Sequence, residues 1–132
     1  MKTVELYIET QQKKQVIDIT YKINEQIQKL DIKNGLCNVF VLHSTAALSI
    51  ADLDPGTDLD MLDAFYEMIP KLKYRHPHNP QHVPDHILST LIGPSVTVPI
   101  QNGELLLGIW QKVVLFEFNG PRTRQINLSF IV

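Results

Sequence analysis

The 132-residue chain contains a single cysteine, Cys37, so no disulfide can form within it. A lone cysteine in an apolar run is typical of a buried thiol in an intracellular protein. The chain also lacks any apolar run close to the roughly 18 residues that a membrane span needs. Its opening residues, "MKTVELYIET", contain no apolar segment of the kind found in signal peptides. We therefore expect a cytoplasmic protein with no membrane partner.

An excess of either charge is also absent, because twelve basic residues stand against fourteen acidic ones, with a formal net charge of -2. Proteins that bind nucleic acid without sequence preference need a basic stripe or a basic overall composition. The balance therefore argues against a nucleic-acid partner. It leaves room for a small anion held by a few local side chains.

Two periodicities alternate along the chain. Residues 3–10 alternate apolar and polar side chains, which predicts a half-buried strand, and residues 15–20 predict a second strand in a hairpin with the first. Apolar residues at helical spacing then predict a first helix between Thr20 and Gly35. After the apolar run "LCNVFVLH", a second helix is predicted between Asp54 and Pro70.

The second half of the chain predicts a short helix and then strands. The helix follows Pro84, and residues 94–100, 105–118 and 122–132 predict strands, with Gly108 inside the long middle one. The order of elements predicts one α+β domain over residues 1–132. It has a mixed, largely antiparallel sheet packed with two to three helices.

Histidine is concentrated in one segment. Four of the five histidines (His76, His78, His82 and His86) lie in "KLKYRHPHNPQHVPDH", and the fifth, His43, interrupts the apolar run "VFVLHSTAALSI". The ordinary interpretation is a core polar contact for His43 and solvated loop histidines, and we expect His78 and His82 to face solvent. If His43, His76 and His86 converge from separate elements, they form a three-histidine site for a divalent metal, zinc before magnesium. The spacing matches no local metal signature.

Further residues are candidates for catalysis and phosphate binding. We predict catalytic roles for His43 and for Asp60, which lies in an acidic helix start and can act as a general base. Hydroxyl, amide, indole and guanidinium groups suited to a phosphorylated small molecule are predicted to bind it: Ser44, Thr45, Ser95, Thr97, Trp110, Gln111, Arg122 and Arg124. The alternative is an ordinary polar strand face, two solvated arginines and a core tryptophan.

Three segments carry a family resemblance. "HSTAALSIADLDP", "HILSTLIGPSVTVPIQNGELLLGIWQ" and "FNGPRTR" resemble the YjbQ-type family, often labelled secondary thiamine-phosphate synthase. The family's histidine motifs fall on His43, His76 and His86. The chain departs from the family after the strand, where Asn-Glu-Asn is usual and this chain has Ala51, Asp52 and Leu53 in a segment one residue shorter, so that a carboxylate role would fall to Asp52. It also departs at Pro84, where many relatives have a histidine that His82 or Asp85 would replace.

The resemblance implies a homotrimer with a metal-binding site, in which His76 comes either from the same chain or from a neighbouring subunit. It also implies an enzyme that acts on a small phosphorylated metabolite, with thiamine-phosphate synthase activity as the family label. Two alternatives stay open, a metal-dependent hydrolase or phosphatase and a non-enzymatic trimeric protein that binds such a metabolite.

Overall fold

A computed structural model describes all 132 residues. The strands are β1 (Lys2–Glu9), β2 (Gln15–Asp18), β3 (Gly35–Val41), β4 (Ala46–Ala51), β5 (Ser95–Gln101), β6 (Glu104–Leu105), β7 (Lys112–Glu117) and β8 (Thr123–Ile131). The helices are α1 (Thr20–Lys29), α2 (Thr57–Met68) and α3 (Val83–Ile92), and a 3₁₀ turn at Pro80–His82 leads into α3. None of the three helices combines the length and the apolar character that crossing a membrane requires.

The strands form two sheets. The first has five strands in the order β1-β8-β3-β5-β6, and the second has three in the order β2-β7-β4. Every pairing in both sheets is antiparallel. The predicted α+β class, with a largely antiparallel arrangement and three helices, is therefore confirmed. The division of the strands between two sheets was not predicted.

The three-stranded sheet is the middle layer of the molecule. One of its faces packs on the inner face of the five-stranded sheet and on α1, in a mainly aliphatic core. Its other face packs on α2 and α3 through a core that contains Phe116 and Phe118. Strand β7 is consequently buried on both faces, as its continuous apolar run "VVLF" indicates.

The outer face of the five-stranded sheet stays exposed. In β3, Cys37 and Val39 point inward and are fully buried, whereas Leu36 and Phe40 point outward and are each about 40% exposed. The last strand ends in the same way, with Ile131 exposed. The apolar carboxyl-terminal strand thus leaves apolar surface uncovered in the single chain.

Two predictions about the strands are wrong. The first two strands do not form a hairpin, because β1 pairs with β8 and β2 pairs with β7 in the other sheet. The predicted strand over residues 105–118 is broken between β6 and β7. Gly108 and Gln111 close a turn there, since the Gln111 amide donates to the Gly108 carbonyl at 3.0 Å and the Gly108 amide donates to Gln111 Oε1 at 2.7 Å. The side chain of Gln111 thus competes with the strand for backbone hydrogen bonds.

Candidate functional site

The loop between β3 and β4 carries the first candidate group. Strand β3 is the central strand of the five-stranded sheet, and β4 lies at an edge of the three-stranded sheet, so the loop of residues 42–45 crosses from one sheet to the other. His43 is half-buried on this loop, Ser44 is exposed and Thr45 is buried. The polar triplet therefore marks a crossing between layers, which explains why it interrupts an apolar run.

The backbone of Gln125 holds His43 in place. Gln125 donates its N–H to His43 Nε2 at 2.8 Å, and its carbonyl accepts from the Leu42 amide at 3.2 Å. The pKa of His43 lies below its ordinary value, first because burial disfavours the charged ring and then because the Arg124 cation repels it. Glu117 acts in the opposite direction without reversing the shift. The imidazole is therefore held in the neutral form.

A buried ion pair lies behind the loop. Arg124 (1% exposed) donates from Nε to Glu117 Oε2 at 2.8 Å and from Nη2 to Glu117 Oε1, and Glu117 is fully buried. Glu117 also accepts from Thr10 Oγ1 at 2.8 Å and from the Asn119 amide at 2.9 Å. Burial alone would raise the pKa of Glu117, but the hydrogen bonds from Arg124, Asn119 and Thr10 hold it below its usual range. The pair is thus ionised, and both carboxylate oxygens of Glu117 accept hydrogen bonds.

The same arginine fixes the end of the His43 loop. Arg124 Nη2 donates to the Thr45 carbonyl at 3.0 Å and to Thr45 Oγ1 at 2.9 Å, and the Phe118 amide donates to the same carbonyl at 3.1 Å. Thr45 Oγ1 therefore faces the guanidinium. Arg124 and Thr45 were predicted to bind a ligand. In the structure they support the loop from inside the core.

A polar cavity of about 340 Å³ opens beside the loop. It lies between the loop and helix α3, and its lining contains two histidines, three hydroxyl residues, an alanine and a proline: His43, Ser44, Ala46, His86, Ser89, Thr90 and Pro94. The structure thus brings together His43, Ser44 and His86, which the sequence singled out. Ser89 and Thr90 were not predicted.

The two α3 hydroxyls present oxygen acceptors. Ser89 Oγ donates to the Asp85 carbonyl at 2.9 Å, and Thr90 Oγ1 donates to the His86 carbonyl at 2.8 Å. Helical serine and threonine often bond the carbonyl one turn back in this way. Because each hydroxyl donates its proton inside the helix, each oxygen can accept a hydrogen bond from a ligand but cannot donate one.

His76 lies against His86 at the edge of this region. Their rings stack with centroids 5.4 Å apart and an angle of 21° between the ring planes. His76 Nδ1 accepts from the backbone amides of His78 and Asn79, both at 3.2 Å. His78 is exposed, as predicted, whereas His82 is half-buried with its Nε2 3.1 Å from Asn79 Nδ2.

The remaining predicted residues lie away from the cavity. Asp60 is exposed on α2, and Arg122 is exposed before β8. Ser95 and Thr97 lie on the exposed outer face of β5, and Thr97 Oγ1 accepts from Asn38 Nδ2 at 3.0 Å.

Trp110 and Gln111 belong to the Gly108 turn. Trp110 is 65% exposed on that turn and does not lie on a strand. The predicted strand over residues 105–118 includes Trp110, and this placement is wrong because the turn breaks the strand before Trp110. Neither residue lines the cavity with His43 within one chain.

The hydrogen bonds of the imidazole nitrogens test the predicted three-histidine metal site. In His43 and His76 one ring nitrogen accepts a backbone N–H, so in the neutral ring the other nitrogen carries the proton. Metal-bound histidines show the reverse arrangement, in which the nitrogen away from the metal donates. No group of three or more histidine, cysteine, aspartate or glutamate side chains in the single chain is placed to hold a metal ion. The residues therefore do not fit a three-histidine metal in this arrangement, and the zinc or magnesium ion stays a prediction.

Glu117 is the residue that sequence reasoning missed. It is the one acidic side chain in the apolar run "VVLFEF", and a carboxylate in such a run needs a buried partner. That signal was available. A second cavity of about 570 Å³ lies between α2 and the start of α3, has a mainly apolar surface and contains none of the predicted site residues.

The comparisons with known proteins agree with this fold. The family described as UPF0047 protein YjbQ-like matches residues 4–132. The chain belongs to this family. A UPF0047 protein of Mycobacterium bovis is 39% identical over 123 residues, which cover 90% of this chain and 93% of the relative. The UPF0047 protein YugU of Bacillus subtilis is 35% identical over 120 residues, which cover 90% of this chain and 91% of YugU.

Solved structures of similar proteins share the whole fold. A hypothetical protein from Aeropyrum pernix K1 matches with a TM-score of 0.91 and 32% identity, over 99% of this chain and 98% of the other. An uncharacterised conserved protein of the YjbQ/UPF0047 family from Clostridium acetobutylicum matches with a TM-score of 0.87 and 33% identity, over 97% and 99% of the two chains. The fold of this chain is thus shared with both solved structures.

Proposed function

We propose that this YjbQ-like protein binds a small phosphorylated metabolite in the cavity between the His43 loop and α3. The observation that carries the proposal is the convergence of His43, Ser44 and His86 on one polar cavity of about 340 Å³. Ligand pockets commonly enclose about 300–1,000 Å³, so this cavity suits a small metabolite better than a dinucleotide.

The polarity of the two walls suggests how such a ligand lies. The loop wall offers the Ser44 hydroxyl and the imidazole of His43. These groups favour an oxyanion. The α3 wall offers the acceptor oxygens of Ser89 and Thr90, which favour donors on the ligand. The ligand that fits both walls is a phosphate ester that also carries hydroxyl or amino groups.

The family label and the metal-dependent alternatives concern the same site. Thiamine-phosphate synthase chemistry and metal-assisted hydrolysis would both use a divalent cation, zinc or magnesium, to neutralise phosphate charge or activate water. Here His43 and His76 would first have to exchange the hydrogen bonds that they make. Asp60 takes no part in the proposal, because it lies exposed on α2 outside the cavity. A metal-free binding protein therefore requires the fewest rearrangements.

Self-association as a homotrimer is a further part of the proposal. Leu36, Phe40 and Ile131 leave apolar surface exposed on the outer face of the five-stranded sheet, which a neighbouring subunit would cover. His76 reaches His86 within one chain, so the site does not require a histidine from a neighbour. Sedimentation equilibrium at micromolar concentration tests the trimer, and a monomer mass contradicts it. The single buried cysteine accords with the cytoplasmic location that we also propose.

Calorimetry of the EDTA-treated protein tests the binding proposal. Glycerol 3-phosphate and inorganic phosphate should bind, with the ester binding more tightly, and uncharged glycerol should not. Ser44→Ala should weaken phosphate binding, because the exposed hydroxyl lines the cavity. The matched control Thr97→Ala lies on the outer sheet face and should bind as the parent does.

The outcomes separate the alternatives. Binding that appears only after zinc or magnesium is restored would replace the metal-free proposal with a metal-dependent one, and release of inorganic phosphate would then indicate a phosphatase. Equal affinities for Ser44→Ala and Thr97→Ala would move the ligand out of this cavity.

A further inference from the structure

We propose that His43 contacts the bound oxyanion as a neutral hydrogen-bond donor, through a proton that the backbone amide of Gln125 fixes on Nδ1. The identity of the ligand rests on the proposed function above, whereas the position of the proton does not. The proposal gives His43 a role other than metal ligand or general base.

The position of the proton follows from one contact. The Gln125 backbone amide lies 2.8 Å from His43 Nε2, and a backbone N–H can only donate. Nε2 must therefore offer its lone pair and carry no proton. A neutral imidazole has one N–H, so that proton is on Nδ1. His43 Nδ1 makes no hydrogen bond within the chain, which leaves it available to a ligand in the cavity that His43 lines.

The groups around His43 oppose a second proton. Protonation of Nε2 would place two N–H groups against each other and break the bond to Gln125. Arg124 and Arg122 on the β8 side add positive charge, and Glu117 on β7 has both oxygens engaged by Arg124. His86, from α3, shares the cavity. The lowered pKa of His43 agrees with this arrangement.

A fixed neutral donor constrains the chemistry of the cavity. His43 can stabilise negative charge on a ligand oxygen without giving up a proton. A neutral histidine can play this part in catalysis, as in triosephosphate isomerase. It cannot accept a proton while Nε2 is engaged. His86 makes no side-chain hydrogen bond within the chain and lines the same cavity, so it is the second imidazole that a ligand can contact there.

Nuclear magnetic resonance tests the position of the proton directly. A long-range ¹H–¹⁵N correlation spectrum of the histidine-labelled full chain at pH 7 should show His43 with a protonated Nδ1 and an unprotonated Nε2. His78, which is exposed and whose ring makes no hydrogen bond within the chain, is the comparison residue in the same spectrum. The His43 signals are assigned by their loss in His43→Asn. A protonated Nε2 on His43 would overturn the proposal.

A matched pair of variants tests the donor. His43→Asn places an amide N–H close to the position of Nδ1, His43→Leu places none there, and both lose the bond to Gln125. Hydrogen bonds to charged groups contribute enough that His43→Leu should bind glycerol 3-phosphate about ten- to a hundredfold more weakly than the parent. His43→Asn should keep most of the parent affinity. Circular dichroism checks that both variants fold.

Each result decides one question. Equal losses in the asparagine and leucine variants would show that the Nδ1 donor is not used. A shift of both His43 ring nitrogens on addition of one equivalent of zinc would make His43 a metal ligand and overturn the proposal. If neither phosphate binds the parent, the proposed function fails, while the tautomer read from the spectrum still confirms or refutes the proton position.

Discussion

Two histidines of this protein accept backbone hydrogen bonds, yet the donors lie at very different distances along the chain. His43 accepts from Gln125, 82 residues away. His76 accepts from His78 and Asn79, two and three residues away. The first contact exists only once β3 and β8 have paired, whereas the second can form within a single loop.

The residues around the two histidines differ in the same way. Behind His43, Arg124 bonds Thr45 across 79 residues, and Glu117 bonds Thr10 across 107. Around His76, Asn79 contacts Gln81 and His82, both within three residues. The His43 region is therefore positioned by hydrogen bonds that span the whole fold. The hydrogen bonds of the loop of residues 76–82 are local, and its His76 ring stacks on His86 of α3. A side chain that must meet a ligand in a fixed orientation is better served by the first arrangement.

The largest expected effect comes from breaking the buried pair. Arg124→Met leaves the Glu117 carboxylate in the core without its partner, and the loss of one partner of a buried pair costs about 3–5 kcal/mol. Urea denaturation measures the free energy of unfolding. The exposed Arg122→Met is the matched control and should change it by less than about 0.5 kcal/mol.

A double variant separates charge from packing. Glu117→Leu with Arg124→Met replaces both ions by apolar groups and should recover much of the lost stability, because neither desolvated charge remains. If Arg124→Met alone is as stable as the parent, the His43 region does not depend on the pair, and the contrast with the 76–82 loop disappears.

Close packing around the pair gives a second test. A Cβ on Gly120 would clash with the Gln12 carbonyl oxygen and lie 2.8 Å from Thr10 Oγ1, so Gly120→Ala should cost about 1–3 kcal/mol through overpacking. Gly108→Ala is the control, since its Cβ would meet only the flexible Gln111 side chain, at 3.1 Å. Thermal unfolding of the two variants compares them, and equal midpoints would contradict the prediction.

Patterns within single segments predicted much of the fold, but they did not predict how the segments pair with one another. Apolar periodicity located the helices and most strands, and the polar interruption located His43 at the end of the central strand. The first helical turn that carries His86 was also predicted. The strand through Gly108 failed, because the Gln111 side chain bonds the Gly108 amide and closes a turn.

The roles within the site needed contacts that the sequence does not display. Arg124 has the chemistry of a phosphate ligand, and only its pairing with Glu117 shows that the guanidinium is committed to the core. The proton position on His43 depends on a backbone amide, which every non-proline residue possesses. Residue type therefore identified the candidates, and long-range hydrogen bonding decided what they do.

Acid should lower the free energy of unfolding through the buried Glu117 carboxylate. The folded pKa of Glu117 is held below the ordinary value of 4.5, so the unfolded chain binds the proton more readily. The stability that this group contributes is complete above about pH 4.5 and is lost as the pH falls through the folded pKa. The free energy of unfolding, measured in urea between pH 3 and 7, should therefore decline below pH 4.5. In Glu117→Gln that decline should be shallower, and identical slopes would show that other carboxyls cause it.

The smallest expected effect lies in the loop of residues 76–82. Asn79 Oδ1 accepts from the Gln81 amide at 3.1 Å and caps the 3₁₀ turn that leads into α3. Loss of a side-chain cap costs about 0.5–2 kcal/mol in a regular helix, and Asn79→Ala should fall at the low end because this turn has only three residues. Urea denaturation measures that cost, with Gln81→Ala as a control that leaves the capped amide in place. Since Asn79→Ala also keeps the backbone amides that His76 accepts from, the His43 tautomer and the affinity for glycerol 3-phosphate should not change. A change in the His43 signals would show that the loop and the His43 region are coupled, and would remove the distinction between locally and globally positioned histidines.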